Sequence, residues 1–233
     1  MNEGNGTVRA GGAIIAVDGP SGAGKSTITR LLAERLGYVH IDTGAMFRAV
    51  ALAVRRMGLD IADEGKLSDL CKGLSISFER SACGQTVFLN GEDVSEAIRT
   101  PEISLLTSTV SSLKCVRENL LERQREMGIK GGVVLEGRDI GTVVFPYADV
   151  KFFLTASVEE RGRRRYLELM ENGNEVTLEG TIAEVARRDE QDERREHAPL
   201  RRAPDAITID SSRLCIEEVL ELMLGKIRER LKA

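Results

Sequence analysis

Long apolar runs are missing from this 233-residue chain. Those present, such as Ala13–Val17, are far too short to cross a bilayer, so a helical membrane span is excluded. Cysteine is sparse: Cys71, Cys83, Cys115 and Cys215 are widely scattered, with no CxxC pair and no metal-ligand spacing, which points to reduced structural thiols. Histidine is scarcer still, with only His40 and His197, and no Ser–His or Cys–His pattern accompanies them, so hydrolase chemistry of the triad type loses support. No internal repeat or low-complexity segment stands out. Residues 1–12 are polar and glycine-rich and lack the basic and apolar regions of a signal peptide; they are expected to form a flexible leader, with the protein in the cytoplasm.

What is present is ordinary for a globular protein: 42% hydrophobic and 30% charged residues, with a length that suits one α/β domain carrying an inserted lobe. The net charge of −4 argues against a general nucleic-acid binder, but it hides an uneven distribution. Arginine is concentrated between Arg161 and Arg165 and again between Arg187 and Arg202. Such runs are usually solvated helix faces, yet arginine is also the side chain that grips phosphate bidentately.

Ala13–Asp18 reads as a buried strand that enters a glycine turn, after which Lys25–Leu36 has helical spacing at Ile28, Leu31, Leu32 and Leu36. Similar strand-like runs at Gly132–Glu136, Val150–Leu154 and Ala206–Ile209 alternate with helix-like sequence, which predicts a parallel sheet flanked by helices. The middle breaks this rhythm. Leu74–Glu79 and Gln85–Asn90 predict an antiparallel hairpin turning around Ser81–Gly84, and Pro101–Met127 predicts one long helix or two. Ser157–Glu171 and Leu178–Glu196 predict further helices.

Gly19, Pro20, Ser21, Gly22, Ala23, Gly24, Lys25 and Ser26 spell GxxxxGKS between the first strand and the first helix, with Thr27 following. Glycines let successive backbone N–H groups turn inward onto phosphate oxygens, and the helix N-terminus adds a favourable dipole. Lys25 is expected to reach the β- and γ-phosphates of ATP and the Ser26 hydroxyl to sit on Mg²⁺. The motif alone leaves kinases, GTPases, motor ATPases and nucleotide switches open. No NKxD guanine-reading motif is present, and the apolar run Val133–Leu135 leads through Glu136 into Gly137, Arg138 and Asp139, not into paired acids. That favours a small-molecule kinase, whose phosphoryl transfer needs alignment and charge neutralisation and little covalent chemistry.

Four further segments lie in order behind the P-loop: DTGAMFR from Asp42, EDVSEAIRT at Glu92–Thr100, EGRDIGTVVFP at Glu136–Pro146 and RRDEQDERREHAPL at Arg187–Leu200. Together, from about Ile14 to near the C-terminus, they resemble bacterial cytidylate kinases. The resemblance implies a P-loop NMP-kinase fold: a single domain over 13–233, a nucleoside-monophosphate-binding insert over about 62–130 that holds the hairpin, and a lid over about 158–173. It implies that ATP, with Mg²⁺, phosphorylates CMP or dCMP, that no nucleic-acid polymer or membrane is involved, and that the protein is a monomer. Carried over position by position, it implies that Thr43 and Arg48 hold the acceptor nucleotide, with Arg138 on its phosphate. Ser108, Arg117, Asp139 and Arg195 would surround the cytosine ring, and Arg188 and Asp192 would address the sugar. Arg161, Arg164 and Arg165 would close from the lid on the transferring group. Glu136 stands where many relatives have Asp, and Thr43 where some have Ser; each keeps its functional group. Other kinases of this fold, acting on shikimate, gluconate or dephospho-coenzyme A, and a non-catalytic nucleotide-binding regulatory module are the competing readings.

Overall fold

The structure, a computed structural model, describes residues 11–81 and 84–232. Residues 1–10, most of the expected leader, and Ala82 and Cys83, the centre of the expected hairpin turn, lie outside them. Among the described residues, no helix is long and apolar enough to cross a membrane.

The core is a five-stranded, all-parallel sheet in the order β2-β6-β1-β7-β8. Its strands are β1 (Ile14–Asp18), β2 (Val39–Asp42), β6 (Val133–Gly137), β7 (Val150–Thr155) and β8 (Ile207–Asp210). Central β1 and β6 are buried at every position, which explains why they read as continuous apolar runs and not as alternating ones. Helices cover both faces. α1 (Lys25–Leu36) and α8 (Ile216–Lys232) pack together and bury Ile28, Leu32, Leu220 and Met223 in one cluster with Ile15, Val17 and Phe152 of the sheet. Ile14, Ala16, Leu135 and Ile140 build the cluster on the opposite face.

A further core lies in the middle of the chain. α2 (Thr43–Met57) buries ten residues, and α3 (Glu64–Gly73), α4 (Pro101–Val110) and α5 (Lys114–Gly128) pack with it around Leu52, Leu67, Ile103, Val116 and Leu120. The hairpin forms as expected from β3 (Ile76–Ser81) and β4 (Gly84–Leu89), with a two-residue third strand, β5 (Glu92–Asp93), that the sequence did not suggest. The long helical stretch resolves into two. Ser111 and Ser112 turn their hydroxyls back onto the carbonyls of Ser108 and Thr109, competing with the helical ladder where α4 stops. α6 (Val158–Glu171) and α7 (Leu178–Arg194) form an antiparallel pair capped by Ser157 and Thr177.

Candidate active site

β1 delivers the P-loop to the carboxyl end of the sheet, where open α/β sheets bind ligands. Two glycines explain the loop's path. A Cβ on Gly19 would stand 2.0 Å from the Leu154 carbonyl oxygen, so only glycine lets the loop pass β7; Gly24, at φ 87, takes the left-handed conformation that launches α1. Lys25 is buried and donates to the carbonyls of Gly19 and Pro20, both at 2.7 Å, so its ammonium lies along the loop it serves. Burial and, next, the nearby Arg138 bring its pKa down to about 7.

Beside the loop, Glu136 collects donors. Ser26 Oγ donates to its Oε2 at 2.8 Å, and Thr29 Oγ1 lies 3.3 Å and His40 Nε2 3.0 Å from its Oε1. Its backbone carbonyl accepts from Thr43 Oγ1 at 2.7 Å. A hydroxyl with an adjacent buried carboxylate is a hard-oxygen donor set that suits Mg²⁺, which keeps several waters and takes its remaining ligands from phosphates. Among the described residues, no cluster of three or more His, Cys, Asp or Glu is placed to hold a metal ion by itself.

The P-loop opens into one cavity of about 1060 Å³. Its walls bring together Ser21 to Thr27 with Thr43, Arg48, Ser108, Arg117, Arg138, Asp139, Arg164, Arg165, Arg188, Asp192 and Arg195, residues from α1, α2, α4, α5, the β6 turn, α6 and the α7 end. Three expected site residues do not line it. Gly19 and Pro20 instead turn their carbonyls to Lys25. Arg161 is buried, pairs with Asp189 at 2.6 Å and donates to the carbonyls of Ala156 and Ser21, so it braces the P-loop from behind and does not face the cavity. The expectation that it closes on the transferring phosphoryl group is therefore not met by its position, and Arg164 and Arg165 carry that expectation alone. Arg164 reaches Glu160 and Ser211, and Arg165 pairs with Glu168.

The far wall is built from charge pairs. Arg117 pairs with Asp139, donates to the Ser111 carbonyl and lies 5.2 Å above the Phe47 ring, all in near-complete burial. Arg138 Nε donates to Asp192 at 2.8 Å, and Arg48 holds Asp42 at 2.6 Å while Asp42 also caps α2. Arg195 donates to the carbonyl of Ala198, which is held at φ 47, a left-handed conformation that costs a non-glycine residue roughly 1–2 kcal/mol. Burial and the neighbouring Arg117 lower the Arg195 pKa to about 10, and burial with Arg138 lowers that of Arg188. At Asp192, burial pushes upward, but Arg138 and Arg195 outweigh it and hold the carboxyl below its ordinary value. Crowded cations of this kind are relieved by a polyanion. Arg48 Nε and Arg195 Nη2 are buried donors with no hydrogen-bond partner among the described residues, suited to acceptor atoms of a ligand.

Sequence reasoning missed several wall residues: Asp42 as the partner of Arg48, Arg99, and Ser211 with Leu214 and Cys215 beside the P-loop. Asp42 and Arg99 lie within the DTGAMFR and EDVSEAIRT segments, whereas Ser211, Leu214 and Cys215 belong to none of the motifs. The hydroxyls Ser104, Thr107 and Ser108 of α4 and Ser111 at its C-cap recur at helical spacing, a signal the sequence did contain.

Fold and site together define a P-loop nucleotide-binding protein with an arginine-walled cavity opposite the loop. The chain belongs to the cytidylate kinase family, whose profile matches residues 15–229. It is 65% identical over 224 residues to a cytidylate kinase of a Geobacter species, covering 96% of each chain. It is 49% identical over 216 residues to the Bacillus subtilis cytidylate kinase, covering 93% of this chain and 96% of that one. Among solved structures, an uncharacterized protein from Eubacterium ventriosum superposes with a TM-score of 0.50 at 11% identity, covering 93% of this chain and 98% of the other, a likeness of fold.

Proposed function

We propose that the protein transfers the γ-phosphoryl group of ATP to CMP or dCMP, giving ADP and CDP or dCDP. The observation that carries this reading is the single cavity in which the P-loop lysine faces arginines from the insert, the β6 turn, α6 and α7. One end suits a triphosphate and the other a nucleoside monophosphate, with family membership naming the acceptor class.

In this reading the P-loop amides and Lys25 hold the ATP phosphates. Ser26, with Glu136 behind it, holds Mg²⁺, which when bound neutralises phosphate charge. Arg48 and Arg138 hold the acceptor's phosphate, and Arg188 with Asp192 faces its sugar. An oxygen of that phosphate attacks the γ-phosphorus of ATP; the new P–O bond forms as the bond to the β–γ bridging oxygen breaks, and ADP leaves with the electron pair. Arg164, Arg165 and Lys25 stabilise the charge that spreads over the transferred group. No histidine base is required.

Asp139 and Arg117 would read the base. The exocyclic amino group of cytosine donates where uracil has a carbonyl, so a carboxylate accepts from the first and repels the second. Residues 158–173 serve as a lid over the phosphoryl group, limiting transfer to water; reduced protease cleavage there with a bisubstrate analogue tests it, and equal cleavage would count against it.

The experiment that tests the function couples ADP release to a panel of CMP, dCMP, UMP, AMP and shikimate. CMP and dCMP should give the highest kcat/KM. Turnover with shikimate alone would favour another kinase of this fold, and binding of ATP without turnover on any acceptor would favour a regulatory module.

A further inference from the structure

Asp139 precedes a five-residue π-helical turn, Ile140–Val144. Aspartate in that place normally bends its own carboxylate onto the first free amides of the turn, which is why it is a favoured N-cap. Here it makes no such bond, and its side chain points at Arg117 on the cavity wall. The amides are satisfied from elsewhere. Asp18, at the end of β1, accepts from Ile140 N–H at 2.8 Å with Oδ1 and from Gly141 N–H at 2.7 Å with Oδ2. Asp18 is 3% exposed and makes these bonds across more than 120 positions of sequence. Gly141 fits closely: a Cβ there would stand 3.4 Å from Asp18 Oδ2 and 3.1 Å from the Lys151 side chain.

We infer that Asp18 is a positioning residue for acceptor selection: it caps the turn in place of Asp139 and so keeps the Asp139 carboxylate free to face the base of the acceptor nucleotide. Both of its oxygens are needed. Asparagine has the same shape but one acceptor, and its amino group would oppose an amide N–H, so one donor of the turn would be released and Asp139 would be drawn back to cap it. Because Asp18 is also the residue before Gly19, the strand that carries the P-loop anchors the acceptor-reading turn as well. The inference rests on the reading of Asp139 as the residue facing the base.

The test compares kcat/KM for CMP and UMP in the unmodified protein, Asp18→Asn, Asp139→Ala and the double variant. Asp18→Asn should lower the CMP-to-UMP ratio about tenfold, a scale set by one polar contact to a base, while affinity for a fluorescent ATP analogue stays within about twofold. In the Asp139→Ala background the Asp18 change should lower the ratio no further, since the two act in series. A role confined to holding the fold would reduce turnover of both acceptors alike; an unchanged ratio in Asp18→Asn, or multiplicative effects in the double variant, overturns the inference. An unchanged ratio in Asp139→Ala removes the base-reading role and this inference together, with CMP turnover in that variant still supporting the kinase reading; absence of CMP turnover by the unmodified protein is instead a failure of the kinase reading. Should Asp18→Asn not fold, amide hydrogen exchange on the unmodified protein decides: Ile140 and Gly141 should be protected as strongly as β1, and fast exchange at both would refute the cap.

Discussion

Replacing Asp139 with alanine should do two separable things. The first is thermodynamic. The side chains of Arg117 and Asp139 are 10% and 8% exposed, and Arg117 is also fixed over Phe47 and on the Ser111 carbonyl, so it cannot follow its lost partner into water. Breaking a buried pair by removing one partner costs about 3–5 kcal/mol, because a charge is left uncompensated. The neighbouring Arg195 adds like-charge repulsion in the same place. For a chain of this size each kcal/mol moves Tm by about 2–4 °C, so a fall of about 6–20 °C is expected in thermal unfolding. Removing both charges, in Asp139→Ala with Arg117→Met, should restore most of it, since an apolar replacement of a buried pair is often near neutral. The second effect is on selectivity: the unpaired Arg117 would welcome uracil's carbonyl as the carboxylate's preference for cytosine's amino group disappears, shifting the CMP-to-UMP ratio of kcat/KM by roughly 1–3 kcal/mol, about 5- to 150-fold. A Tm within about 2 °C of the unmodified protein would refute the stability argument. A double variant no more stable than Asp139→Ala would refute it too, and an unchanged ratio would refute the base-reading role.

Lys25→Met should leave the fold intact and lower kcat by roughly a hundredfold or more, the scale of one lost electrostatic donor at a transition state; steady-state turnover in a variant with native circular dichroism checks it. Asp18 gives a pH signature. Burial raises its pKa to about 6 from 3.8, so between those values the folded state holds a proton that the unfolded chain releases, and this contribution to stability is present at low pH and lost as pH rises through 6. Urea unfolding of Asp18→Asn should therefore show a smaller loss of stability at pH 8 than at pH 4.5, by about 2 kcal/mol, and a pH-independent difference would contradict the assignment. Gly162 marks the contact between α6 and α7: a Cβ there would stand 2.4 Å from Ile182 Cγ1 and 2.9 Å from its Cα, so Gly162→Ala should cost about 1–3 kcal/mol by calorimetry, and no loss would mean that the pair packs less closely.

Much of this molecule was legible in the sequence because its chemistry is local there. The P-loop motif is eight consecutive residues between one strand and one helix, and the apolar runs of β1 and β6 mark strands buried on both faces. The two strands of the hairpin also read correctly. Less legible was whatever depends on partners far along the chain. Asp18 reads as the last residue of a strand until Ile140 and Gly141 arrive from a distant turn. Arg161 sits in the same arginine run as Arg164 and Arg165, and only the α6–α7 packing turns it onto Asp189 and the back of the P-loop. The end of α4 at Val110 is set by serine hydroxyls that bond their own backbone, a competition that helical spacing does not register. Ala198 in a left-handed conformation before Pro199 likewise gives no composition signal, yet its carbonyl orients Arg195.

The central claim is that the P-loop and the arginine wall serve one transfer between two nucleotides in one cavity. Its most direct test is to incubate the protein with Mg²⁺, CMP and ATP carrying a radioactive γ-phosphate, and to follow where the label goes. Label should appear in CDP, with ADP formed in equal amount, and little ADP should form when CMP is left out. Label appearing as inorganic phosphate at a rate indifferent to CMP would contradict it.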